Sequence, residues 1–219
     1  THPFKTSKQN SFENHFINIG HITKITIPNM ITEIKENSFK NCSTLKEIIL
    51  PPTLNRIESN SFSKCSSLTQ IKIPNSVTEI GSNSFSECSS LVQIEIPSSI
   101  TKLKESLFQQ CSSLIQIEIP NSVTEIESNS FSECLSLEQI KIPSSVIKIG
   151  DKSFKECKSL KQIIIPENVE YIGSYSFYEC KSLEQIIIQT QIIKQISTSL
   201  FEKCSSLEKI EIPSSVIKI

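Results

Sequence analysis

Phenylalanine recurs at Phe16, Phe39, Phe62, Phe85, Phe108, Phe131, Phe154 and Phe177 with a constant step of 23 residues, then at Phe201 after a step of 24. The same register carries Cys42, Cys65, Cys88, Cys111, Cys134, Cys157, Cys180 and Cys204, followed by Leu45, Leu68, Leu91, Leu114, Leu137, Leu160, Leu183 and Leu207. A unit this short cannot bury its own Phe, Leu and Ile; it must be covered by identical neighbours on both sides. The unbroken period therefore predicts one elongated array over residues 1–219, with no linker. Residues 1–22 read as a partial or capping coil and 23–219 as regular repeats.

Within one repeat the apolar pattern changes period twice. In LTQIKIP, from Leu68, Ile71 and Ile73 alternate with Gln70 and Lys72, as in a strand with one face buried. Pro74 has no amide hydrogen for a neighbouring strand and should end the ladder; eight of the ten prolines, from Pro28 to Pro213, share this column. Val77 and Ile80 then return to the core through a short descending segment that can hold a second, irregular strand. In SNSFSECSSL, Phe85, Cys88 and Leu91 are spaced three apart, as on one face of a 3₁₀ or single-turn α-helix. Ser84 with Glu87, Ser130 with Glu133, Ser153 with Glu156 and Ser176 with Glu179 match the S-x-x-E capping box of a helix start. Gly81, Gly150 and Gly173 share a column with Lys104 and Glu127, so a left-handed backbone is tolerated there and not demanded.

These features predict an α/β repeat solenoid of the leucine-rich-repeat kind: a right-handed coil of about nine turns of 23 residues, with a parallel concave sheet and short 3₁₀ or α convex turns. One residue is inserted near 189–193, where Gln189 replaces the column proline, and a local bulge before Ile193 is expected.

The 22 basic and 23 acidic residues nearly cancel, which leaves no basic field for nucleic acid. The longest apolar runs are far short of the roughly 20 residues that cross a bilayer, so no membrane insertion is expected. The opening residues lack an initiator Met and the apolar core of a secretion signal, which reads as a fragment or processed form. The chain stops at SSVIKI before another Phe coil, and an uncapped solenoid end would favour end-to-end self-association or further repeats.

An even number of cysteines suggests disulfides, but thiols stacked in one column have parallel Cβ vectors, whereas a disulfide needs converging ones. No C-x-x-C pair occurs, and His2, His15 and His21 all lie near the start of the chain, so no metal site and no cofactor are expected. Each Cys shares its face with Phe and Leu and reads as a small buried hydrophobe, not a nucleophile. With no P-loop and no G-x-S-x-G, catalytic residues are expected to be none and the chain is expected not to be an enzyme.

The pattern F-x-x-C-x-S-L-x-x-I-x-I-P-x-S-V-x-x-I, present as FSECSSLVQIEIPSSITKL from Phe85, resembles the BspA-type leucine-rich-repeat family over nearly the whole chain. The resemblance implies surface-associated or secreted proteins of bacteria and protists, several linked to adhesion to host matrix proteins or other cells. It brings no shared catalytic motif.

Outward strand positions of a solenoid form its usual binding face. The expected protein-binding face here comprises Gln93, Glu95, Gln116, Glu118, Gln139, Lys141, Ile164 and Ile187, with Ile164 and Ile187 as exposed neighbours. Six glutamines from Gln70 to Gln185 are expected to form an amide ladder, each bonded to the next coil. Tyr171, Tyr175 and Tyr178 fall in one coil, off that face, and Asn41-Cys42-Ser43 formally matches a glycosylation acceptor within a tight turn. The expected function is a non-enzymatic protein-binding module of a cell-surface or secreted adhesin, whose partners are extracellular matrix or cell-surface proteins. The competing reading is a cytoplasmic scaffold binding a protein such as a phosphatase, favoured by eight reduced thiols.

Overall fold

The computed structural model describes residues 21–219 and the backbone of 11–12. Its strands are β1 (Ser11–Phe12), β2 (Lys24–Thr26), β3 (Glu33–Ile34), β4 (Glu47–Ile49), β5 (Arg56–Ile57), β6 (Gln70–Lys72), β7 (Glu79–Ile80), β8 (Gln93–Glu95) and β9 (Lys102–Leu103). They continue as β10 (Gln116–Glu118), β11 (Glu125–Ile126), β12 (Gln139–Lys141), β13 (Lys148–Ile149), β14 (Gln162–Ile165), β15 (Tyr171–Ile172), β16 (Gln185–Ile188) and β17 (Lys209–Ile210).

Two parallel stacks result, because each coil up to β14–β15 contributes one strand to each. The first holds β2–β4, β6–β8–β10–β12 and β14–β16–β17; the second, lateral stack holds β1–β3–β5–β7 and β9–β11–β13–β15. Pairing follows the sequence period: Gln70 faces Gln93, Gln116 faces Gln139 and Gln162 faces Gln185, while the inserted residue makes the last step Gln185 to Lys209. The chain is a parallel-sheet solenoid of leucine-rich-repeat type with about eight turns among the described residues. Phe16, which would add a ninth, lies outside them.

The core is the stack of columns. Phe39, Phe62, Phe85, Phe108, Phe131, Phe154 and Phe177 are fully buried. Successive rings from Phe39 to Phe201 lie 5.3–5.8 Å apart at interplanar angles of 1–19°. This spacing falls in the range of offset-stacked aromatic pairs, so each ring is held by the rings above and below it.

The convex side is not helical, which corrects the expectation of 3₁₀ or α turns. Asn60, Phe62 and Lys64 donate their amides outward to Ser82, Ser84 and Ser86 of the next coil, at 2.9, 2.9 and 2.8 Å. The alternate amides of Ser63 and Cys65 donate back three residues, to Asn60 and Phe62, both at 3.1 Å. A helix would spend every amide internally. Here half of them bind coil to coil, so the convex turns form a third hydrogen-bonded stack. The geometry requires a left-handed residue twice per coil, as at Asn83 (φ 58°) and Glu87 (φ 60°). Asn tolerates that region best among non-glycine residues and holds several of these positions.

The capping-box reading fails for the same reason. Ser84 Oγ accepts no helical amide; it donates to Gly81 O at 2.7 Å and to Glu58 O of the preceding coil at 3.0 Å. Ser130, Ser153 and Ser176 repeat this double contact. The partner glutamates turn outward instead: Glu87 meets Lys64 at 3.4 Å and Glu179 meets Lys203 at 3.0 Å.

The described glycines are needed for close approach, not for a left-handed backbone, since none has positive φ. A Cβ on Gly81 would lie 2.4 Å from Ser59 N and 2.7 Å from Glu58 C. Gly81→Ala is expected to lower stability by about 1–3 kcal/mol, as overpacking does, readable as an earlier urea midpoint. Lys104 and Glu127 hold the same column in other coils, so the backbone can open there, which bounds the loss.

Around the insertion, Thr190 is fully buried and its hydroxyl donates to Val169 O at 2.7 Å. In regular coils a serine does this, as Ser122 to Ile100 O at 2.6 Å and Ser145 to Val123 O at 2.7 Å. The core position is recovered at buried Ile193, but the lateral stack stops at β15 and resumes only as the Gln195–Lys218 bridge.

Candidate protein-binding face

Along the first stack, inward isoleucines alternate with outward polar residues. Ile71, Ile94, Ile117 and Ile140 are buried, while Gln and Lys or Glu on either side face solvent. Over β4, β6, β8 and β10 these outward residues line an open trough of about 1110 Å³. Glu47, Ile49, Gln70, Lys72, Gln93, Glu95, Gln116 and Glu118 line its strands, with Ile49 the exposed apolar residue among them, and Pro52, Pro74, Asn75 and Ser76 form one rim.

Of the residues expected at the site, Gln93, Glu95, Gln116 and Glu118 line this trough. Gln139, Lys141 and Ile164 are exposed on the same stack of strands, farther along and outside the trough. Ile187 corrects the expectation of two exposed isoleucines: Ile164 is 42% exposed, whereas Ile187, its register partner on β16, is half-buried.

The amide ladder is also largely absent. Among the described residues only Gln162 Nε2 donates to Gln185 Oε1, at 3.1 Å. Gln70, Gln93, Gln116 and Gln139 make no such bond to a neighbouring coil, which leaves the donors and acceptors of the first three facing the trough.

The lateral stack carries a feature the sequence reading missed. Its outward column runs Glu33, Arg56, Glu79, Lys102, Glu125, Lys148, strictly alternating in sign, and ends at Tyr171. Arg56 meets Glu79 at 3.2 Å and Lys102 meets Glu125 at 2.7 Å. The Lys102 ammonium holds the Glu125 carboxyl below its usual range and is itself raised in return. The signal was the same 23-residue step, one column away from the apolar residues.

The thiol column is also more than filler. Cys65, Cys88, Cys111, Cys134, Cys157, Cys180 and Cys204 each donate Sγ–H to the carbonyl of the Phe one coil back, at 3.0–3.2 Å. Burial raises these thiols well above their ordinary range; the half-buried Cys204 is raised to about 11. All eight cysteines from Cys42 to Cys204 are free.

Tyr171 lies on the lateral stack, bonded to Asp151 at 3.2 Å, while Tyr175 and Tyr178 form an edge-on pair with centroids 5.8 Å apart on the convex side. Asn41 is exposed at φ 65° beside buried Cys42. Among the described residues no three His, Cys, Asp or Glu side chains gather as a metal site, and no helix is long and apolar enough to cross a membrane.

Six copies of the BspA type leucine rich repeat region match residues 9–137 and 124–219. The chain belongs to the BspA-type leucine-rich-repeat family. A leucine-rich repeat protein from Bacteroides ovatus is 34% identical, with a TM-score of 0.71 over 85% of this chain and 54% of that one. A leucine rich cell surface protein from Faecalibacterium prausnitzii is 28% identical, with a TM-score of 0.59 over 85% of this chain and 59% of that one. A leucine rich repeat protein of T. pallidum is 28% identical, with a TM-score of 0.63 over 70% of this chain and 72% of that one. The BspA-type chain thus spans little more than half the length of the first two relatives. No curated protein sequence matches it.

Proposed function

We propose that this chain is a non-enzymatic protein-binding module of a cell-surface or secreted protein, and that its concave face engages matrix or cell-surface proteins. The observation that carries this reading is the open trough over β4–β10, whose glutamine amides are not consumed by neighbouring coils. A relative described as a cell surface protein supports the location. The thiols from Cys65 to Cys180 do not favour a cytoplasmic scaffold, because burial and the Sγ–H hydrogen bond shield them from oxidation in either compartment.

Adhesion of the chain to immobilised matrix proteins and to whole cells tests the reading, with Gln116→Ala, Glu118→Ala and Ile164→Ala combined. Lost adhesion is the expected result, and unchanged adhesion removes the concave-face version. Sedimentation over a concentration series reads whether copies also associate end to end; a strict monomer removes that part.

A further inference from the structure

We propose that β8 and β10 form a docking patch for an extended segment of a partner protein that carries a basic and an apolar side chain three residues apart. The inference rests on the protein-binding reading above and names the partner's chemistry.

Two features coincide on these adjacent coils. At the entry to each strand, Val92 and Ile115 are 42% and 46% exposed. The same position in other coils holds Lys46, Thr69, Glu138, Lys161, Glu184 or Glu208, so these are the only apolar occupants in that run of the column. Three residues on, Glu95 and Glu118 are in-register neighbours, both exposed within the trough.

Neighbouring strands lie only about 4.8 Å apart, and like charges directly opposite one another are unfavourable. Among the described residues neither carboxylate joins an ion pair, although Lys72 and Lys141 occupy the flanking positions of the same row. On the lateral stack the same chain alternates its charges strictly. The like-charged pair contrasts with that lateral column, and a cation between the two carboxylates would relieve it.

Between the apolar and acidic pairs lie Gln93 and Gln116, whose amides can meet a peptide backbone. Each coil thus carries an apolar group just before the strand, outside the trough's lining, then an amide and an acidic group within it, in the same order over roughly 10 Å of chain. A polyproline-II segment brings residues three apart onto one side at about 9.3 Å, which matches that span.

Fluorescence anisotropy with three labelled peptides in a Ser/Pro background tests the fit: one with Lys and Leu three residues apart, one with Glu for Lys, and one with Ser for Leu. The Lys/Leu peptide should bind tightest. Glu95→Gln with Glu118→Gln should weaken it at least ~tenfold and flatten its salt dependence, and Val92→Ser with Ile115→Ser should erase its advantage over the Lys/Ser peptide. Glu138→Gln with Glu184→Gln, which removes the same charge elsewhere, should change little. Equal binding of the Glu/Leu peptide, indifference to the Glu95 and Glu118 changes, or no binding of the Lys/Leu peptide overturns the inference. In each of those cases the adhesion assay still judges the protein-binding reading independently.

Discussion

Phe108→Ala is expected to destabilise the chain by about 3–5 kcal/mol, the cost of emptying a buried aromatic site that cannot collapse. Collapse is blocked because Phe85 and Phe131 stack on the two faces of Phe108, at 5.8 and 5.5 Å, and each is fixed in turn by the next ring. The backbone around the site is equally committed: Phe108 N donates to Ser130 O at 2.8 Å, and its carbonyl accepts both Cys111 N at 3.1 Å and the Cys134 thiol at 3.2 Å. Chemical denaturation followed by far-ultraviolet circular dichroism measures the loss. In a stack bound only by nearest neighbours, a central defect should also divide cooperativity. A second transition, or a smaller denaturant slope than the unaltered chain shows, is therefore expected together with the lower midpoint. Phe201→Ala should cost less, because Phe201 is only partly buried.

Native thiol reactivity gives the other large effect. Cys88, Cys111 and Cys157 are completely buried and pushed far above the ordinary thiol range by loss of solvation, with neighbouring thiols adding to it. The reactive species is the thiolate, so both access and ionisation oppose reaction. Labelling of these cysteines by a thiol reagent is expected to be at least ~1000-fold slower than in the denatured chain, since it must await unfolding. Cys204, half-buried and raised only to about 11, and Cys42, raised by burial alone, are the exceptions, and the more accessible Cys204 should label first. Mass spectrometry of partly labelled protein reads the order directly. Uniform fast labelling of all eight would contradict the hydrogen-bonded thiol column.

The inward columns were legible because stacking demands the same side chain at each step of 23: Phe85, Cys88, Leu91 and Ile94 are all buried where their spacing placed them. The convex turns were not. A spacing of three fits a 3₁₀-helix and a run of turns equally well, and what separates them is the sign of φ at Asn83 and Glu87 and the destination of amides such as Phe85 N, which goes to Leu107 O of the next coil. Recurrent asparagines at 37, 60, 83 and 129 carried a cue to left-handed backbone that the S-x-x-E pattern obscured. On the candidate face, outward positions followed from alternation, so Gln93, Glu95, Gln116 and Glu118 could be named in advance. The extent of the trough could not, because it depends on how the sheet and the Pro74 rim sit together, and neither is local. Ile187 differs too: it is half-buried at an outward position of β16, which the alternation along its own strand does not anticipate.

The alternating lateral column also bears on how the chain finds its own order. Every inward column is nearly uniform, so hydrophobic packing alone would let one coil be left out and its neighbours closed over the gap. Omitting the coil of Lys102 would bring Glu79 against Glu125, a like-charge contact, while omitting two consecutive coils restores opposite signs. The nearly identical stretches from Ser82 and Ser128 are two coils apart and both follow a glutamate of this column. The unit that the charges distinguish is thus 46 residues, twice the packing period. It works as a parity check on assembly: single-coil omissions are penalised, and the misthreadings left unpenalised are those by an even number of coils.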